Sequence, residues 1–203
     1  MKVMIYKRFE RFWHWGQAAL MFAMLITGFE IHGTYQLLGF STAVLWHEYC
    51  AFALMTLWVF AIFWHFTTGE WRHYIPTTEK LVAVLRFYSK GIFQGEPHPF
   101  KSTIERKHNP LQVFAYLGFK LIMGPLIWVT GLLLLFYAEW ERFGLEGLSL
   151  AVVATLHIIG AFLIAIFFIG HIYMTTTGST PLAHIRTMIT GYEQEEEAKK
   201  ENV

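Results

Sequence analysis

The sequence predicts an all-α membrane protein, a four-transmembrane-helix bundle with an amphipathic helix between its second and third spans. Three observations carry this. Four apolar runs of about 20 or more residues interrupt the chain, each long enough to cross a hydrocarbon core of about 30 Å. Charged residues make up 15%, against 55% apolar and 18% aromatic, where soluble domains run near 25% charged. Lysine and arginine lie almost wholly between the runs, on alternate connectors.

The elements follow in order. Residues 1–12 carry four Lys/Arg and lead into a first span over 13–31, WHWGQAALMFAMLITGFEI. The run is long and has no small-x-small cleavage site with a polar flank, so it reads as a retained helix rather than a signal peptide. A connector without Lys or Arg leads to a second span over 46–66. The segment 67–109 is polar and basic. Within it, Thr77 to Gly91 predicts an amphipathic helix: Thr77 or Thr78 offers a cap, and Leu81, Val84, Leu85 and Tyr88 recur at helical spacing. A third span covers 111–138, an acidic connector follows, and a fourth span runs over 149–175. The tail, 178–203, holds HIRTMITGY and a charged end expected to fray. Residues 1–203 thus form a single domain.

Positive charge sets the orientation. Four Lys/Arg precede the first span, seven lie between spans two and three, and three lie in the tail. The other two connectors hold only Arg142. Both termini and the middle segment are therefore expected in the cytoplasm of a bacterial inner membrane. A net charge of +1 gives no global field for nucleic acid. One cysteine, Cys50, excludes intrachain disulfides and iron–sulfur ligation by this chain alone, and reads as a small buried residue. The absence of C-x-x-C-H means that any haem is held non-covalently.

The fourth span carries His157 and His171, fourteen residues apart. On a helix they return to one face within ~40° and stand about 21 Å apart. One helix so offers an imidazole near each membrane surface, as two stacked haems require. Depth pairs His47, opening span two, with His157. It pairs His171 with either His14, opening span one, or His65, five turns after His47 on the same face. Spacing alone leaves His14 and His65 open. Paired imidazoles fill the axial positions of a haem iron, giving an electron carrier with no free site for substrate. His32, His73, His98, His108 and His184 read mainly as surface residues. Gly16, Gly28, Gly131 and Gly160 offer close approach to a macrocycle or another helix.

The chain resembles the cytochrome b (gamma) subunit of membrane-bound formate dehydrogenases. It is similar too to the cytochrome b subunits of thiosulfate reductase and nickel–iron hydrogenase. The marks are RFWHW, WHEY, HNPLQ, Thr130–Gly131, the His157/His171 pair and RTMITGY, and they cover nearly the whole chain. The resemblance implies two haem b groups, with His14 and His171 on the inner iron and His47 and His157 on the outer. That prefers His14 over His65, which becomes a neighbour of the inner haem. It implies a menaquinone or ubiquinone site using Asn109 and Gln112, with Leu111 where the family often has Gly. Arg11 and Lys120 are candidate contacts to haem propionates, and Glu48 a candidate for a partner-facing position. The implied partners are an iron–sulfur subunit on the outer face, over Thr34–Leu45 and Glu139–Ser149, and through it a catalytic subunit. The site for the primary substrate then lies outside this chain, which acts as the quinone-reactive electron-transfer subunit of a respiratory chain. The alternative is a stand-alone cytochrome b561-like quinol oxidoreductase.

Overall fold

The computed structural model describes residues 2–100, 103, 106–178 and 180–194. Among them α1 spans Arg8–Ile31 and α2 Phe40–Thr68. The middle segment holds α3, Leu81–Ser89. The third apolar run is α4, Pro110–Gly118, then a π turn over Phe119–Met123, then α5, Gly124–Leu135. Helix α6 is Leu150–Thr175, and α7 is Ala183–Thr190.

Three stretches are long and apolar enough to cross a membrane: Phe40–Thr68, Pro110–Leu135 and Leu150–Thr175. Helix α1 has the length, 24 residues or about 36 Å. Its His14 and Gln17, with charges at both ends, dilute its apolar character. The π turn has a local cause. Pro125 has no N–H and its ring crowds the carbonyl of Leu121, so the preceding turn widens.

The apolar helices pack antiparallel. Gly16 and Gly28 of α1 approach Leu57 and His47 of α2. Phe22 and Phe29 of α1 meet Phe168 and Phe162 of α6. Ile127 of α5 meets Gly160 of α6, and Trp128 of α5 meets Trp58 of α2. The central layer is buried and takes one residue from each wall: Met21, Leu54, Phe119 and Ile164. Outward apolar side chains such as Phe63, Phe66, Ile166 and Ile169 are more than half exposed, the pattern of a lipid-facing surface.

Several expectations change. Helix α2 begins at Phe40, not 46, because Gly39 takes φ +85° and its loop is tied down. Glu30 Oε1 accepts hydrogen bonds from the N–H groups of Leu37, Leu38 and Gly39 at 2.7–2.8 Å. The amphipathic helix begins at Leu81, and neither Thr77 nor Thr78 caps it. The Thr77 hydroxyl instead accepts from the N–H of Glu79 within a turn, and Lys80 is the capping residue at φ +61°. Its buried face is Val84 and Phe87, while Leu85 is exposed. Cys50 is half-buried. Residues 195–203, the charged end, lie outside the described residues.

Periodicity did not reveal that the segment before α1 joins the segment after α7. Strand β1, Lys2–Met4, pairs antiparallel with β2, Tyr192–Gln194. Helix α7 presents its last carbonyls, which no helical N–H can satisfy, to α1. Arg11 Nη1 donates to the carbonyl of Ile189 at 2.6 Å, and Trp15 Nε1 to that of Met188 at 3.3 Å. The RTMITGY tail is thus a latch on the turn of α1 that carries His14.

Candidate functional site

The histidines fall at two levels of the bundle, above and below the central apolar layer. At the end that carries β1, β2 and the basic segment, His14 of α1 faces His171 of α6, with ring centres 6.1 Å apart. At the opposite end His47 of α2 faces His157 of α6, with ring centres 6.3 Å apart. A metal–imidazole bond is about 2.0–2.1 Å, and the ring centre lies about an ångström behind the bonding nitrogen. Two imidazoles ligating one metal from opposite sides therefore stand roughly 6 Å apart, as both pairs do.

At the opposite end the two imidazoles are held in the same way. Thr27 Oγ1 lies 3.0 Å from His47 Nδ1 and 2.9 Å from the carbonyl of Ala23. Thr130 Oγ1 lies 3.0 Å from His157 Nδ1 and 2.6 Å from the carbonyl of Leu126. A hydroxyl has one proton. Spent on the helical carbonyl, it leaves Nδ1–H as the donor to Oγ1 and Nε2 as a bare lone pair. Such an outer hydrogen bond fixes the tautomer of a ligating histidine. In both cases the next residue is glycine. A Cβ on Gly28 would lie 3.2 Å from His47 Cε1, and one on Gly131 3.1 Å from His157 Cε1. These glycines make room for an imidazole. Gly16 and Gly160 instead admit side chains of neighbouring helices, Leu57 and Ile127. The repeated Thr-Gly pair is legible in the sequence, but Thr27 and the link from Thr to Nδ1 emerge only in three dimensions.

The pair at the basic end sits in an aromatic box. Phe167 stacks on His171, Tyr116 meets it edge-on, and Trp15 meets His14 edge-on. His14 Nδ1 is buried with no hydrogen-bond partner among the described residues. His65 is not part of this pair. Its Nδ1 lies 2.6 Å from the carbonyl of Ala61, and its ring packs between Trp13 and Tyr74.

The other candidates have definite places. Asn109 and Gln112 form a reciprocal cap on α4: Asn109 Oδ1 accepts from the Gln112 N–H, and Gln112 Oε1 from the Asn109 N–H, both at 2.9 Å. Asn109 Nδ2 donates to the Tyr88 hydroxyl at 3.2 Å. Arg11 is engaged with the α7 carbonyl. Lys120 sits in the π turn with Nζ 3.3 Å from the centre of the Tyr74 ring, a cation–π contact.

Beneath the His14 level lies a buried ionic network that sequence reading missed. Lys107, 5% exposed, donates from Nζ to both Glu10 oxygens at 2.8 and 2.9 Å and to Glu70 at 2.7 Å. Lys7 and His73 also contact Glu70. Burial pushes the Glu70 carboxyl up, but the hydrogen bonds from Lys107 and Lys7 outweigh it and hold it at about 2. The network ties α1, the end of α2 and the lead into α4 together. His73, His98 and His108, expected at the surface, are half-buried and line a cavity beside it.

Two comparisons bear on the site. Residues 5–191 match the family model described as prokaryotic cytochrome b561. The chain is also 34% identical over 198 residues to "Putative cytochrome YdhU" of Escherichia coli (strain K12), covering 94% of this chain and 74% of that protein. No solved structure matches the chain.

Proposed function

The chain belongs to the prokaryotic cytochrome b561 family, and from that premise we propose that it is a di-haem electron carrier between a partner at one membrane face and a quinone at the other. Family membership implies haem b, and the residues fit it. His14 with His171, and His47 with His157, would hold one iron each. When bound there, haem b would supply a one-electron couple, with these histidines as the residues that would hold it. The observation that carries the reading is the pair of ring separations, 6.1 and 6.3 Å, at two levels of one helix.

The chain's own residues perform the rest. Thr27 and Thr130 present the Nε2 lone pairs of His47 and His157. Met21, Leu54, Phe119 and Ile164 exclude water between the levels. At the basic end a quinone site at the start of α4 would use the Gln112 side-chain N–H₂, since Oε1 of Gln112 and Oδ1 of Asn109 serve the helix cap. Arg11 and Lys120 remain the candidate partners of the propionates there.

The partner is proposed to be an iron–sulfur subunit seated on the connectors over Thr34–Leu45 and Glu139–Ser149, as in formate dehydrogenase, thiosulfate reductase or hydrogenase complexes. The family description itself favours a second reading, a stand-alone cytochrome b561-like quinol oxidoreductase. Purification from native membranes separates the two. A complex containing iron–sulfur protein supports the first, and a lone chain that oxidises quinol with a soluble acceptor supports the second. The di-haem assignment is tested by haem-to-protein stoichiometry. His157→Ala is expected to lose one of two b haems, and an unchanged ratio refutes the ligand map.

A further inference from the structure

The middle segment encloses a cavity of about 620 Å³ at the basic end of the bundle. Its floor includes Pro110 and Val113, the first turn of the third apolar stretch. It therefore opens at the depth where hydrocarbon gives way to headgroups. The lining is two-sided. Ile75, Phe100 and Val113 supply apolar wall, and Arg72, Lys80 and Arg106 supply charge. Glu79 is the one acid among the described lining residues, and it is spent on Arg106, with N···O 2.9 Å. Burial holds His98 and His108 below the ordinary imidazole range, and both nitrogens of His98 are already engaged, by the Phe100 carbonyl and the Tyr88 hydroxyl, so neither histidine adds charge to the lining. Arg72 and Lys80 form no ion pair within 4 Å among the described residues, although the Glu79 carboxylate is close enough to Lys80 for the two charges to interact.

Both cations are exposed, with the Arg72 side chain restrained and the Lys80 backbone fixed. The Arg72 guanidinium lies 5.9 Å from the Trp71 ring centre, a cation–π contact that limits its sweep. Lys80 is the one non-glycine residue with positive φ among those described. A conformation so seldom adopted outside glycine is retained where its surroundings over-determine it. Two cations with no ion pair among the described residues, over an apolar wall at the membrane boundary, are the chemistry for a phosphate carried by an acyl-chain ligand.

We propose that this cavity binds the phosphate headgroup of an acidic membrane phospholipid, with Arg72 and Lys80 on the phosphate and the apolar wall against the glycerol and first methylenes. The shared chemistry is a phosphate ester, and the position at the head of the third span selects a lipid over a solute.

The test is native mass spectrometry of the haem-loaded protein released from mixed phosphatidylglycerol and phosphatidylcholine bilayers. Wild type is expected to retain phosphatidylglycerol preferentially. Arg72→Gln/Lys80→Gln is expected to lose that retention by about tenfold, while Lys90→Gln/Arg186→Gln, two exposed cations at the same end, keeps it. Lys80→Gly removes the charge while relaxing the backbone at φ +61°, so it reports on binding even if the double variant loads haem poorly. Equal losses in both double variants, full retention by Lys80→Gly, or no preference between the lipids overturns the site. A phosphate adduct that depends on Arg72 and Lys80, formed from inorganic phosphate in phosphatidylcholine alone and without preference for phosphatidylglycerol, overturns the lipid source.

Discussion

Thr27 Oγ1 stands 3.0 Å from His47 Nδ1 and 2.9 Å from the carbonyl of Ala23, so that with its one proton on that carbonyl it is the acceptor for Nδ1–H. One hydroxyl therefore fixes both the tautomer and the rotation of an imidazole on another helix. Thr27→Val keeps the shape and removes the acceptor. It is expected to weaken haem binding at the His47/His157 level by about 10–100-fold and to shift that haem's midpoint potential. The His14/His171 level should be unchanged. Spectroelectrochemical titration resolves the two, and equal shifts at both levels would contradict the role.

Gly131 lets His157 approach: a Cβ there would lie 3.1 Å from the imidazole Cε1. The ring is pinned by Thr130 and cannot yield freely. Gly131→Ala is expected to displace it and lower haem occupancy at that level, read from the haem-to-protein ratio. Gly33→Ala is a useful contrast. That residue takes φ +84° with open space around it, so it tests backbone strain alone and should leave haem content unchanged.

The latch between the segment before α1 and the segment after α7 depends on Gly191. It adopts φ +89°, a Cβ there would lie 2.7 Å from the carbonyl of Tyr6, and its own carbonyl accepts from Ile5 and Tyr6. Gly191→Ala is expected to cost at least about 1–2 kcal/mol. The loss should appear at the His14 level, because Arg11 and Trp15 rest on the same latch. Thermal release of haem should begin there at lower temperature, with the other level intact.

The Glu10–Lys107–Glu70 network carries a pH signature. The Glu70 carboxyl sits at about 2 against an ordinary 4.5. A depressed carboxyl stabilises the fold above its unfolded value and loses that contribution as protons bind. The stability difference between wild type and Glu70→Gln should therefore be full above about pH 4.5 and shrink toward pH 2, measured by thermal unfolding in detergent. Lys107→Met removes the buried cation shared by Glu10 and Glu70, while Glu70 keeps Lys7 and His73 and Glu10 keeps the Lys7 N–H, so it is expected to cost about 1–3 kcal/mol near neutral pH.

Much of this protein is written in local patterns. Runs of apolar residues matched to membrane thickness, and the fourteen-residue interval between His157 and His171, are properties of a single helix. A reader of the sequence reaches them without knowing any neighbour. The Asn109–Pro110 start of α4 is equally local, and its side chains proved to close on each other as a cap. What the sequence could not determine was contact between distant segments. His65 and His14 have equal claims by depth. The packing of α1 against α6 brings His14 to His171, while His65 turns to its own helix's carbonyl. Thr27 meets His47, Lys107 bridges Glu10 and Glu70, and Arg11 meets Ile189. Helical periodicity fixes which face a residue occupies, and only the association of helices fixes what that face meets.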